Sequence, residues 1–102
     1  AEFCIVDIET NGSKVDKHQI IEIAALKIKN GKIIDKFDTL VFTKEINPFI
    51  TEITGISAED TKDAPDLESV MKDFKLFLGD GVFVAHDVKF DYNFISQSMQ
   101  KF

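Results

Sequence analysis

In the stretch FCIVDIETNG at positions 3–12, five of the first six residues are apolar, and the run closes on two carboxylates, Asp7 and Glu9. A strand over 2–9 has Phe3 and Ile5 on one face and Cys4, Val6 and Ile8 on the other. This pattern predicts a central strand covered on both sides. Two more β-rich runs follow, QIIEIAALKIK at 19–29 and KIIDKFDTLVFT at 32–43. Between them stands Asn30-Gly31, a pair that accepts the positive φ angles of a type I′ turn and so predicts a hairpin. Ile34 and Asp35 should mark opposite faces of its second strand. The segment NPFITEITGISA at 47–58 carries Pro and Gly punctuation and reads as a short turn or helix in a connection. A helix is predicted over 65–78, with Pro65 in its first turn and Gly79 as its stop. Its apolar stripe is Leu67, Val70, Met71, Phe74, Phe77 and Leu78. A short strand over 82–86 precedes a helix over 88–102 that turns Phe94, Ile95, Met99 and Phe102 to the core.

The order β, β, β, α, β, α predicts an α/β fold, a mixed sheet with packed helices. The last strand follows a helix, so it should lie parallel to an earlier strand through a right-handed crossover. Sites in such sheets collect beyond the carboxyl ends of the parallel strands. Asp7 and Glu9 end the first strand, and Asp91 follows the last one closely.

The side-chain period of a strand puts Asp7 and Glu9 on one face, with Ile8 on the other. Adjacent carboxylates repel, and one takes up a proton unless a cation lies between them. Asp91, four residues before Ile95, borders the side of its helix that faces the sheet. Three converging carboxylates suit Mg²⁺ or Mn²⁺. Two such ions roughly 3.5–4 Å apart can clamp both oxygens of a phosphodiester displacement. The plainer alternative makes Asp7 and Glu9 the polar end of a buried strand and Asp91 a solvated residue in a first helical turn.

Composition narrows the partners. The chain of 102 residues has 44% hydrophobic residues and ten Phe, which fits one globular domain. No apolar run approaches a membrane span, and the one Cys makes a reducing cytoplasm the default. A net charge of −6 gives no basic footprint for nucleic acid. Metal ions can still bridge an acidic protein to phosphates. The chain opens at Ala1 on the edge of a strand and closes at Phe102 in a helix without a stop signal. Both ends read as those of a piece of a longer domain.

VDIETNG resembles the first motif of the DEDD, or DnaQ-like, 3′→5′ exonucleases. QIIEIAALKI is similar to the second strand of that family, and ITEITGIS to its Ile-x-x-Leu/Ile-Thr-Gly-Ile connection. DAPDLESVMKDFKLFLGDGVFVAHDVKFDYNFI resembles the stretch into its second motif, Ala-His-Asn-x-x-Phe-Asp-x-x-Phe-Leu. The pattern is most similar to the proofreading (epsilon) subunits of bacterial DNA polymerase III and the exonuclease domains of Gram-positive-type replicative polymerases. The resemblance implies a ribonuclease H-like fold, with strands over 2–9, 19–29, 32–43 and 82–86 and helices over 65–78 and 88–102. It also implies two divalent metal ions, with Asp7, Glu9 and Asp91 as catalytic metal carboxylates. Thr10, Asn11 and Gly12 would lie along the terminal nucleotide, and His86, Asp87 and Phe90 would flank the groove. The reaction would be metal-dependent hydrolysis of the last phosphodiester at the 3′ end of single-stranded DNA, releasing nucleoside monophosphates. A polymerase subunit is the implied partner.

The sequence departs from the family pattern in two places. Asp87 replaces the usual Asn; its extra charge would weaken the hold on substrate phosphate or add a metal contact, or else the residue serves simply as the N-cap of the last helix. The third motif, with the fourth metal carboxylate and the general base, has no counterpart. Residues 1–102 alone are therefore expected to be nearly inactive and to self-associate through uncovered apolar surface. The alternatives are a catalytically impaired module that binds nucleic-acid ends or a polymerase, an exoribonuclease of the same fold, and a nuclease that cuts internally. Gly12 reads equally well as a plain turn residue. His18 reads as an exposed loop residue. Glu22 reads as part of a salt bridge or of a surface face.

Overall fold

The computed structural model describes residues 1–102. Strands β1 (Glu2–Thr10), β2 (Ile20–Lys29), β3 (Lys32–Leu40) and β4 (Val82–Val84) form one sheet in the order β3-β2-β1-β4. β1 lies antiparallel to β2 and parallel to β4, and β2 is antiparallel to β3. The sheet is therefore mixed and the crossover strand is parallel, as the element order predicts. The β2–β3 turn has φ of 52° at Asn30 and 75° at Gly31, and positive φ at both positions is what a type I′ turn requires. Three residues after the turn the alternation breaks. Ile28 pairs with Ile33 and Lys27 with Asp35, so Ile34 is the extra residue of a bulge.

Four helices complete the chain: α1 (Pro48–Thr54), α2 (Ala58–Thr61), α3 (Leu67–Leu78) and α4 (Val88–Gln100). The 47–58 connection thus holds α1 whole and opens α2. Asn47 caps α1 by accepting from the Phe49 N–H, and Ser57 and Asp60 form a capping box on α2. Pro65 falls outside α3, because the Asp66 carboxylate accepts from Ser69 N–H and starts the helix there. The predicted strand over 32–43 stops at Leu40. Beyond it the chain turns to bond the 61–65 segment, with Phe42 N–H on Pro65 O and Thr43 N–H on Thr61 Oγ1.

The core lies on one face of the sheet. Cys4, Val6, Ile8, Ile23 and Ala25 pack against Val70, Met71 and Phe74 of α3 and Phe94 and Ile95 of α4. Phe37 of β3 adds its ring, with its centroid 5.6 Å from Phe74 and 5.5 Å from Phe77. β1 is central, but only one of its faces is covered. Phe3 and Ile5 stay exposed, in register with the exposed Val82 and Val84 of β4. The helices that bury Cys4, Val6 and Ile8 all sit on the opposite side, which is why apolar residues on both faces did not mean cover on both. Phe102 is also exposed, because α4 ends at Gln100.

Candidate active site

β1 delivers Asp7 and Glu9 to one face, while Ile8 between them is buried. Asp7 is exposed and Glu9 is half-buried. Beside Glu9 the register with β2 shifts: Glu9 pairs with Glu22, but Thr10 pairs with Ile20. This bulge turns the chain out of the sheet into the 11–18 loop.

Asp91 arrives from α4. The Asp87 carboxylate accepts from Phe90 N–H at 3.2 Å and caps this helix, as its position predicts. Phe94 and Ile95 then pull the helix onto the sheet and carry Asp91 inward. Asp91 is 6% exposed, so it is not a solvated first-turn residue. Burial, followed by the charges of Asp7, Asp87 and Glu9, pushes its carboxyl from 3.8 up to about 6, while His86 opposes the shift. Glu9 is raised by burial and then by Asp7. Glu22, in neither a salt bridge nor a plain surface face, is half-buried opposite Glu9. Burial, Asp38, Glu9 and Asp7 raise its carboxyl. The chain thus concentrates negative charge at the carboxyl end of β1.

The raised Asp91 carboxyl sets a pH dependence. Unfolded, it titrates near its ordinary value, so between pH of about 4 and 6 the folded chain holds a proton that the unfolded chain has lost. Without divalent ions, Asp91 therefore makes the fold less stable as pH rises through that window. Asp91→Asn removes the penalty. It should raise Tm by a few degrees at pH 7 and by clearly less at pH 4.5, measured by circular dichroism. An equal effect at both pH values would contradict this cause.

Next to Glu9 opens a cavity of about 580 Å³. Its polar side has Thr10, Asn11, Gly12 and His18; its apolar side has Ile8, Phe49, Ile50, Ile53 and Phe90. Of the sequence-predicted residues, Glu9, Thr10, Asn11, Gly12 and Phe90 meet here. Asp7 instead borders a separate, smaller pocket with Ile5, Ala24, Leu26, Lys36 and Asp38. His86 and Asp87 are exposed at the start of α4 and do not line the cavity. Asn47, Phe49 and Ile53 were missed as site residues. Their signal was an apolar pair four apart, Phe49 and Ile53, left 65% and 64% exposed on a short helix.

Oxygen donors in such mutual repulsion match a hard divalent ion in kind and in charge. They are spread rather than gathered, and no group of three or more His, Cys, Asp or Glu is placed to hold a metal ion. No helix is long and apolar enough to cross a membrane.

A mixed sheet with an acidic end on its central strand and a buried Asp on the following helix is the architecture of the ribonuclease H-like fold. Residues 4–102 match the family model described as Exonuclease, and the chain belongs to that family. Exonucleases of this family generally use divalent metal ions. The chain is similar to DNA polymerase III of the PolC type. It is 41% identical over 102 residues to that of Halalkalibacterium halodurans, covering 99% of this chain, and 46% identical over 101 residues to that of Caldanaerobacter subterraneus, covering 98%. The Bacillus subtilis protein is 38% identical over 100 residues, covering 97%. The chain spans only 7% of the length of each of these polymerases. Among solved structures, apo exonuclease I superposes with a TM-score of 0.88 at 14% identity, over 99% of this chain and 25% of that one. Escherichia coli exonuclease I with a dA16 oligonucleotide gives the same score and identity, over 99% of this chain and 24% of that one. These superpositions establish the ribonuclease H-like exonuclease fold.

Proposed function

We propose that this domain is a 3′→5′ exonuclease that removes the terminal nucleotide from single-stranded DNA, as a proofreading unit of a cytoplasmic polymerase. The observation that carries the reading is Asp91, a buried carboxylate raised by burial and then by Asp7, Asp87 and Glu9, the last of which borders an open cleft. That arrangement costs stability and gains meaning if cations bind there. Asp7, Glu9 and Asp91 would hold two divalent ions, Mg²⁺ or Mn²⁺. Those ions, when bound, would polarise the phosphodiester and acidify the attacking water.

The chain's own residues do the rest. The Phe90 ring and the Phe49–Ile53 face supply flat and apolar surface for a base. Thr10, Asn11 and Gly12 border the sugar, and β1 fixes Glu9 against the scissile bond because a strand in a sheet moves less than a loop. Stacking on side chains tolerates any base, which suits an enzyme that must remove whichever nucleotide is terminal. His86 and Asp87 would contact the upstream strand from the mouth of α4.

With Mn²⁺ and 5′-labelled single-stranded DNA, the intact protein should give a ladder shortening from the 3′ end, and a chelator should stop it. Internal cuts, or preference for RNA of the same sequence, would overturn the proposal. Residues 1–102 alone should give little product, because no side chain among them takes the role of the general base.

A further inference from the structure

Two cavities meet at His18. One is the cleft beside Glu9. The other, about 620 Å³, has Asn11, His18, Lys44, Ile46, Asn47 and Pro48 in its wall. His18 is half-buried rather than the exposed loop residue its position predicts. Its ring lies face-on against Gly12, where an added methyl would run into Cγ, Cδ2 and Cε1 of the imidazole. Gly12 is therefore more than a turn residue, because the ring occupies the space a side chain would need.

The ring is also oriented. Its Nδ1 accepts from the Lys14 backbone N–H at 3.0 Å. A neutral imidazole that accepts at Nδ1 carries its proton on Nε2. One ring face and one nitrogen thus belong to the loop. The second face and the Nε2–H remain to border the cavities.

The loop beneath is tied down independently. Thr10 Oγ1 donates to Gly12 O at 2.6 Å, and Asn11 Oδ1 accepts from Gln19 N–H at 2.8 Å. Asn11 N–H donates to Gln19 O at 3.1 Å. With the Asn11 carboxamide oxygen occupied in this way, His18 brings a further donor to the polar side of the cleft.

We propose that His18 is a substrate-binding residue whose Nε2–H donates to an acceptor oxygen of the nucleotide seated beside Glu9, and whose ring braces the Thr10–Gly12 wall. The inference rests on the cleft being a nucleotide site. Amide side chains separate the two roles. His18→Asn can keep an acceptor for Lys14 N–H but lacks a donor at the Nε2 position. His18→Gln places a donor near that position and loses the acceptor.

The test is steady-state hydrolysis of a single-stranded oligonucleotide by the intact protein with Mn²⁺. His18→Asn should raise KM about tenfold and leave kcat within about twofold, and His18→Gln should recover most of the loss. Gly12→Ala, which displaces the ring, should raise KM to the same extent and add nothing further in a His18→Ala background. A wild-type KM for His18→Asn, or multiplying effects for the Gly12→Ala and His18→Ala pair, would overturn the proposal. Titration of wild-type protein with thymidine 5′-monophosphate needs neither hydrolysis nor a variant. The His18 Nε2 resonance should shift as the nucleotide saturates, and no shift would overturn the contact. Nucleotide binding without hydrolysis would instead count against the exonuclease reading alone.

Discussion

Replacing Asp7 with alanine should lower 3′-terminal hydrolysis by the intact protein about 10³-fold or more. Asp7 is exposed at the carboxyl end of β1, and its charge raises both Glu9 and Asp91. Removing it leaves two carboxylates where three would share two divalent ions. Transition-state charge stabilisation of several kcal/mol per ion would then fall away, and each 1.36 kcal/mol is tenfold in rate. The fold should not suffer, because the side chain packs against nothing in the core. Relief of repulsion should even raise Tm slightly. Single-turnover digestion of end-labelled DNA, together with equilibrium binding of the same strand, checks the result. Hydrolysis that persists within tenfold of wild type would remove Asp7 from the metal site. No detectable hydrolysis in the wild type, with binding intact in Asp7→Ala, would support a module that holds DNA ends without cutting them.

Phe74→Ala should cost about 3–5 kcal/mol of stability. Phe74 is fully buried, with Phe37 and Phe77 at 5.6 and 6.3 Å between centroids. Domains of this size have only about 5–15 kcal/mol in hand. The loss reaches the site, because α3 packs on α4, and α4 carries Asp91. Urea unfolding should show a large fall in the midpoint with m nearly unchanged. A loss under about 1 kcal/mol would mean that the core closes around the gap, and the link from α3 to Asp91 would be weak.

The sheet was readable because the period-two pattern, Asn30-Gly31 and the helical stripe of α3 agree with one another. The positions of Asp7 and Glu9 at the end of β1 and of Asp91 in the first turns of α4 were readable, but a gathered three-carboxylate cluster is not what the structure shows. Cover was not readable. Apolarity on both faces of β1 says that each face can be buried, and the structure covers only the face of Cys4, Val6 and Ile8. The end of the 32–43 run was hidden for a related reason. Val41 and Thr43 are both buried, but Val41 N–H still bonds Ile21 O of β2, whereas Thr43 N–H bonds Thr61 Oγ1 instead of a longer ladder. His18 was hidden because its partner is the absence of a side chain at Gly12. No pattern of polar and apolar letters reports a ring lying on a glycine.

The pairing of β1 with β4 covers only Phe3, Cys4 and Ile5. From Val6 to Thr10 the central strand keeps its ladder with β2 on one side and has no strand on the other. The carboxylates thus ride on a half-clamped lever, fixed at its root and free along one edge at its tip. Such a strand holds Glu9 in register yet lets its outer edge yield by fractions of an ångström as charge enters or leaves. Amide hydrogens on that edge should exchange faster than those facing β2, and bound divalent ions should slow them.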